Sequence, residues 1–375
     1  MPTMLPSAPK TLGRLSDVFI SALGSITGKS NRLGFGKSNK VCVILVDGLG
    51  SENLRTAGGH APFLNAALKV SKSINTVFPS TTASAITSFG TAMSPSEHGV
   101  LGYSVFDRKA ALVRNLLSGW DEEFVPSDFQ SAKSVSELAL ENGVQTFTVG
   151  PAEYSDSGFT KLNMSAATYV PARTFDERIQ ATREILAGKQ SSLTYLYFPE
   201  LDSIAHSHGV ASVEWLQKLE DLDSAIKSLA NNLPKDAGLL ITADHGIVDV
   251  PKANQIMLDE IDLPDLIAAS GDPRNTFLYF QPGTDIAAMK VKLDQELAGR
   301  VIVATVDELK DADWLADEVA NSEYLPELYL LSTGAYACYH RGFCKPQSLR
   351  MVGQHGSISQ AELSVPLLRF GTMLI

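Results

Sequence analysis

The chain has 375 residues, 42 acidic against 31 basic side chains and a formal net charge of -11, with 44% hydrophobic and 19% charged positions. That balance supports a sizeable buried core and excludes a binder of nucleic-acid polymers, which needs a basic patch where this chain has no Lys/Arg block. Phosphate chemistry on so acidic a chain needs positive charge from elsewhere, and a bound metal is the obvious source.

In chain order, the N-terminal stretch does not read as a signal peptide: its apolar run is short, is broken by Ser16 and Asp17, and lacks an A-x-A cleavage pattern. Leu12, Leu15, Phe19 and Leu23 recur at helical spacing, which predicts an amphipathic helix packed on the main domain. Residues 30–40, SNRLGFGKSNK, form a polar loop feeding the first strand. Four short apolar runs predict buried strands: VCVILV (41–46), QTFTVG (145–150), LTYLYF (193–198) and GLLIT (238–242). Helix-like segments lie between them, including VSELALEN and the stretch from Val213 to Leu229. Apolar strands alternating with helices predict an α/β fold, a mostly parallel sheet with helices on both faces.

From about 262 to 345 the rhythm changes to RNTFLYFQPG, a helical stretch to Leu297, RVIVATV, DELKDADWLADEVA and ELYLL, before a core-like ending, AELSVPLLRF. A main domain in two parts, 1–261 and 346–375, interrupted by a small α+β subdomain at 262–345, accounts for this better than two domains in series. The inserted unit leaves after Asp244 and His245 and returns just before His355, which predicts a lid over whatever those residues do. No run approaches the roughly 20 apolar residues of a membrane span, and a cytoplasmic location is the expectation. Cys42, Cys338 and Cys344 make neither a disulfide framework nor a zinc CxxC pair.

Three acids follow apolar strands: Asp47 directly after VCVILV, Asp244 after GLLITA, and Asp202 four residues after LTYLYF. Ligands of open parallel sheets bind beyond the carboxyl ends of the strands. An aspartate in such a turn is common, so each alone says little; three converging on one edge say more. Two of them bring histidines. Asp202 and His206 share one face of a helical turn, and Asp244 and His245 are adjacent in a tight turn. A further turn, GQHG, carries His355. Carboxylate oxygen and imidazole nitrogen suit zinc, and manganese or iron with less preference. His60, His98, His208 and His340 read as ordinary surface or core imidazoles.

The nucleophile candidates sit in FPSTTASAITSFGTAM, residues 78–93, where hydroxyls precede a small-residue helix. A hydroxyl there is commonly an N-cap, yet the same helix end attracts anions and metal coordination would activate a hydroxyl further. Side-chain chemistry alone leaves Ser80, Thr81 and Thr82 equivalent.

The ordered set VDG, FPSTT, HGVLG, ELDSIAHSHG, ADHG and GQHG, from about 41 to 370, resembles the alkaline phosphatase superfamily, in particular its type I phosphodiesterase/nucleotide pyrophosphatase branch. The resemblance implies an alkaline phosphatase-like fold and two divalent metal ions. Asp47, Thr82, Asp244 and His245 would hold one, and Asp202, His206 and His355 the other. It also selects Thr82, fifth from Phe78, as the nucleophile, acting through a phosphoenzyme with net retention at phosphorus. The charges agree: three aspartates and a Thr82 alkoxide balance two divalent ions. Two metals roughly 3.5–4 Å apart clamp the attacking and leaving oxygens of an in-line displacement.

One position departs from the branch. Where it carries an Asn that holds a non-bridging phosphate oxygen, this chain has Tyr103, either a substitute donor or a core aromatic. A small-molecule phosphate ester is the expected substrate; the oligomeric state is not set. Two alternatives stand beside a diesterase: a phosphomonoesterase of the same superfamily, whose extra Arg or third metal has no counterpart here, and a non-catalytic phospho-ligand binding module, which would have no need of seven ligand positions.

Overall fold

The computed structural model describes residues 4–10 and 13–374. Strand β1 (Lys40–Val46) is buried along its whole length, as a run of branched apolar residues covered on both faces must be. To one side lies β5 (Ala237–Thr242) and to the other β4 (Ser192–Phe198), both parallel to it. Beyond β4 the sheet continues in parallel through β2 (Gln145–Gly150) to an edge strand, β3 (Thr168–Pro171). The four apolar runs are therefore the four inner strands.

Helices α1 (Ser16–Thr27) and α2 (Thr82–Thr91) pack together, with the rings of Phe19 and Phe89 stacked at 4.6 Å. Leu15, Phe19 and Leu23 are buried as their spacing predicts, while Leu12 lies outside the described residues. A second group is formed by α3 (Phe175–Ala187), α4 (Glu200–His208) and α5 (Val213–Ala230), whose Trp215, Leu219, Leu222, Ile226 and Leu229 repeat at helical intervals and are buried. The helices thus cover both faces of the sheet.

Between Asp244 and His355 the chain builds a second, antiparallel sheet from β6 (Leu266–Asp272), β7 (Asn275–Phe280), β8 (Val301–Ala304) and β9 (Leu328–Ser332), ordered β6-β7-β9-β8. Leu293 and Leu297, in and after the helix Ile286–Glu296, join Leu278, Phe280 and Val303 in one apolar cluster. Phe277, Tyr279 and Tyr329 join Phe78, Val100 and Val105 in another. Burial of each such side chain contributes roughly 1.5–3 kcal/mol, so this sheet is fastened to the segment around α2. Within DELKDADWLADEVA only the start is helical, as part of Val306–Asp311, and Asp313 just beyond it takes a left-handed φ of 62°.

The chain then closes with β10 (Leu368–Gly371), antiparallel to β5 at the sheet edge. The sheet is therefore mixed, five parallel strands and one antiparallel. Residues LRFG carry too weak a pattern to show this, and Arg369 in the middle of them lies 4.8 Å over the ring of Phe35. Among the described residues no helix is long and apolar enough to cross a membrane.

Candidate metal centre

Asp47 is the first residue beyond β1, and the strand's direction carries its carboxylate out at the carboxyl end of the sheet. Gly48, at φ 72°, turns the chain away at once; a Cβ there would lie 2.5 Å from Ile247 Cδ1 and 3.2 Å from Asp202 Cβ. Its N–H donates to Asp244 Oδ1 at 3.1 Å, joining the turn after β1 to the turn after β5. Asn53 fixes the second turn, accepting from Ile247 N at 3.0 Å and donating to Ile247 O at 2.9 Å. Asp202 and His206 come from the first and last turns of α4, His206 Nε2 lying 3.1 Å from Asp202 Oδ2.

These residues meet. His245 Nε2 is 3.4 Å from Asp47 Oδ1, 3.5 Å from Asp244 Oδ2 and 3.1 Å from the Thr82 hydroxyl. His355 Nε2 is 3.9 Å from Asp202 Oδ1, and its ring stacks on that of His245 at 3.6 Å. Two sets of ligand atoms lie within 4.8 Å of one another: Asp47, Asp244 and His245; and Asp202, His245 and His355. His245 belongs to both sets, not only to the one it was assigned, and His206 stands beside Asp202 at the rim.

The donor set fits divalent cations. Asp47 Oδ1, Asp202 Oδ1 and Asp244 Oδ2 are buried and have no hydrogen-bond partner, a costly arrangement for carboxylate oxygens unless a cation takes them. All three histidines direct Nδ1 to a backbone carbonyl: His206 to Gly353 at 2.8 Å, His355 to Ser80 at 3.0 Å and His245 to Gly246 at 3.3 Å. With its proton on Nδ1, each imidazole would present Nε2 to a cation, the usual device that orients metal-binding imidazoles.

The charges in the cluster are mutually frustrated. Burial, then the neighbouring Asp244 and Asp202 charges, push the Asp47 carboxyl well above the usual carboxylate range. Burial also raises Asp244. Burial opposes ionisation of Asp202 as well, but the adjoining His206 prevails and holds that carboxyl low. His206 rises to about 9: burial disfavours its charge, and Asp202 overrides it. Burial and then His245 press His355 well below the ordinary imidazole value. Bound cations of charge two would reverse the local balance that drives these shifts.

Thr82 opens onto a cavity of about 590 Å³ lined by Trp120, Tyr154, Phe159, Tyr169 and Tyr197, with no lysine, arginine or histidine in its wall. Tyr103 lies elsewhere, 39% exposed and lining a neighbouring cavity, its hydroxyl beside Asn115. The core-aromatic alternative for Tyr103 is therefore wrong. Three residues escaped the sequence reading. Tyr197 donates its hydroxyl to Asp47 Oδ2 but reads as one more strand aromatic. Asn53 lies in an unmarked short helix. Asp272 accepts from Thr81 Oγ1 at 3.1 Å and from Tyr103 N at 3.4 Å, and nothing in its local sequence signals that. His98, by contrast, is a core imidazole as expected, bonded to Ser88 Oγ at 2.8 Å.

The family model for type I phosphodiesterase / nucleotide pyrophosphatase matches residues 41–356. The chain belongs to this family. Human ectonucleotide pyrophosphatase/phosphodiesterase family member 1 is 27% identical over 216 residues, and the mouse protein 26% over 225. Each match covers 54% of this chain and 23% of the relative, so the chain spans under a quarter of their length. Murine ectonucleotide pyrophosphatase/phosphodiesterase 5 superposes with a TM-score of 0.68 at 19% identity, covering 88% of each chain. An inactive variant of that murine protein in complex with AMP gives 0.66 at 19% identity, over 89% of this chain and 88% of the other. At that identity the likeness is one of fold. The family places the chain in the alkaline phosphatase superfamily, as its motifs imply. The expected cytoplasmic location is overturned, since the relatives matched are ecto-enzymes by name. Composition reflects the demands of folding and does not report compartment.

Proposed function

We propose that this chain is a two-metal phosphodiesterase of the nucleotide pyrophosphatase type, with Thr82 as nucleophile. The observation that carries the reading is the convergence of three unpartnered carboxylate oxygens and the Nε2 atoms of His245 and His355 beside the Thr82 hydroxyl. Asp47, Thr82, Asp244 and His245 would hold one ion and Asp202, His206 and His355 the other, with His245 Nε2 near both. Zinc suits this nitrogen-rich set best, with manganese or iron as the next choices. Bound there, two divalent ions supply Lewis acidity and four positive charges against three aspartates and an ionised threonine.

The protein's own part follows from its geometry. Thr82 heads α2, where free N–H groups and the helix dipole favour negative charge on the hydroxyl and on an entering phosphate. Thr82 attacks phosphorus, the first alcohol leaves, and water then releases the phosphate from Thr82. Two inversions give net retention. The aromatic cavity beside Thr82 would hold the organic group of the ester, and Tyr103 would contact the phosphate or its leaving group from the other side.

A diester fits better than a monoester because the cavity wall carries no cationic side chain to meet a second phosphate charge. Residues 262–345 would act as an inserted lid, since the turn between β6 and β7 brings Asp272 against Thr81. The ecto-enzyme relatives support a site of action outside the cell. Comparing initial rates on an aryl phosphate diester and its monoester, with zinc or manganese added, tests the proposal; the diester should be preferred, and a preference for the monoester would reverse the assignment.

A further inference from the structure

Thr81 holds the capping position of α2 in extended geometry, φ -127° and ψ 147°, yet no side chain caps this helix. A threonine so placed ordinarily turns its hydroxyl onto the N–H groups of the first turn, satisfying one of them. Here Oγ1 donates instead to Asp272 Oδ1 at 3.1 Å. Asp272 is itself held from several directions. Its other oxygen accepts from Tyr103 N at 3.4 Å, and its Cβ lies where a Cβ on Gly356 would come within 2.8 Å. Two residues on, Arg274 forms a fully buried pair with Glu362, with Nε and Nη2 each 2.8 Å from a carboxylate oxygen. The turn between β6 and β7 is thereby anchored in the main domain.

We propose that Asp272 is a positioning residue for the phosphoryl transfer: by holding the Thr81 hydroxyl away from α2, it leaves the first-turn N–H groups uncapped for the phosphate at Thr82. The inference rests on the reading of Thr82 as nucleophile. Asp272 touches no reacting atom; it decides whether a hydroxyl of the protein or an oxygen of the substrate takes the helix N-terminus. A protein hydroxyl and a substrate oxygen competing for the same donors produce a recognisable signature, because removing the hydroxyl should undo the damage caused by releasing it.

The experiment compares Asp272→Ala, Asp272→Asn and the double variant Asp272→Ala/Thr81→Val on an aryl phosphate diester, with thermal melting and metal content measured alongside. Asp272→Ala frees Thr81 to cap the helix, and kcat should fall about 100-fold, the usual cost of one oxyanion donor, with metal content kept. The double variant cannot cap and should recover at least about tenfold over Asp272→Ala. Asp272→Asn keeps an acceptor oxygen for the Thr81 hydroxyl, giving up only the long bond from Tyr103 N, and should stay within about fivefold of wild type, so it tests the idea even if the alanine variant folds poorly. Equal losses in the single and double variants, or a large loss in folded, metal-replete Asp272→Ala matched by Asp272→Asn, would overturn the proposal. A crystal structure of Asp272→Ala gives a readout independent of activity: Thr81 Oγ1 should move to within hydrogen-bond distance of Ser84 N. If wild type hydrolyses no diester, the reading of the site fails, while the position of Thr81 in that structure still decides the inference; an unmoved hydroxyl would refute it.

Discussion

The Thr82 hydroxyl lies 3.1 Å from Nε2 of His245, the imidazole whose nitrogen also stands 3.4 Å from Asp47 and 3.5 Å from Asp244. A helix-capping threonine would have no reason to share that point with three candidate metal ligands. Thr82→Ala should therefore fold with stability within about 1 kcal/mol of wild type and lose at least about 10⁴-fold in kcat, roughly 5 kcal/mol of transition-state stabilisation. Thr82→Ser, which keeps a hydroxyl, should retain measurable turnover. Wild-type kcat in the alanine variant would remove Thr82 from the chemistry.

Asp47 and Tyr197 form the contact through which the sheet supports the site, the phenol donating to one carboxylate oxygen while the other remains without a partner. Tyr197→Phe leaves the ring and removes the donor. Metal affinity, followed by titrating zinc into chelator-treated protein, should weaken about 10–100-fold, as for other outer-shell partners. Asp244→Ala and His355→Ala should each lose a metal outright in elemental analysis. Unaltered zinc binding in all three variants would contradict the ligand assignment.

Tyr103 shares the Asp272 carboxylate with Thr81 through its backbone N–H, which keeps it close to the start of α2 although its ring lines the adjoining cavity. We expect Tyr103→Phe to lower kcat/KM for diesters about tenfold, the loss of one donor to a phosphate oxygen. Equal kcat/KM for the two proteins, on diester and monoester alike, would leave substrate choice to the aromatic cavity.

The buried pair of Arg274 and Glu362 joins the second sheet to the closing segment that carries His355. Glu362→Ala leaves a guanidinium buried without its partner and should destabilise by about 3–5 kcal/mol, measured by urea unfolding. A change below about 1 kcal/mol would mean that the sheet is held by its apolar face alone.

His98 is buried and accepts at Nδ1 from Val100 N while donating to Ser88, and burial pushes its pKa down to about 3. The unfolded chain titrates near 6.5, so between these values the unfolded state binds the extra proton. The contribution of neutral His98 is complete above about pH 6.5 and is lost as pH falls toward about 3. Wild type should lose Tm over that window more steeply than His98→Gln; parallel curves would show that other groups control acid unfolding.

Most candidate ligands were legible because they lie in short motifs at the end of an apolar strand or on one helical turn, while His355 was legible only from its GQHG turn. Asp244 and His245 need only β5 and a glycine to reach the site, and Asp202 and His206 need only the geometry of α4. What joins the second sheet to that site was not legible. Asp272 meets Thr81 across 191 residues and Arg274 meets Glu362 across 88, contacts that no local periodicity encodes. Tyr197 is hidden for a different reason: an aromatic at the end of a buried strand looks like core until its hydroxyl is seen on Asp47. The edge strand β10 was missed because four residues with a central arginine carry no clear strand signal.

The most direct test of the two-metal account is reconstitution. Chelator-treated protein should contain no metal and hydrolyse no phosphate diester, and added zinc or manganese should restore turnover in step with binding, reaching full activity at two ions per chain. Full diesterase activity in protein shown by elemental analysis to be free of metal would contradict it.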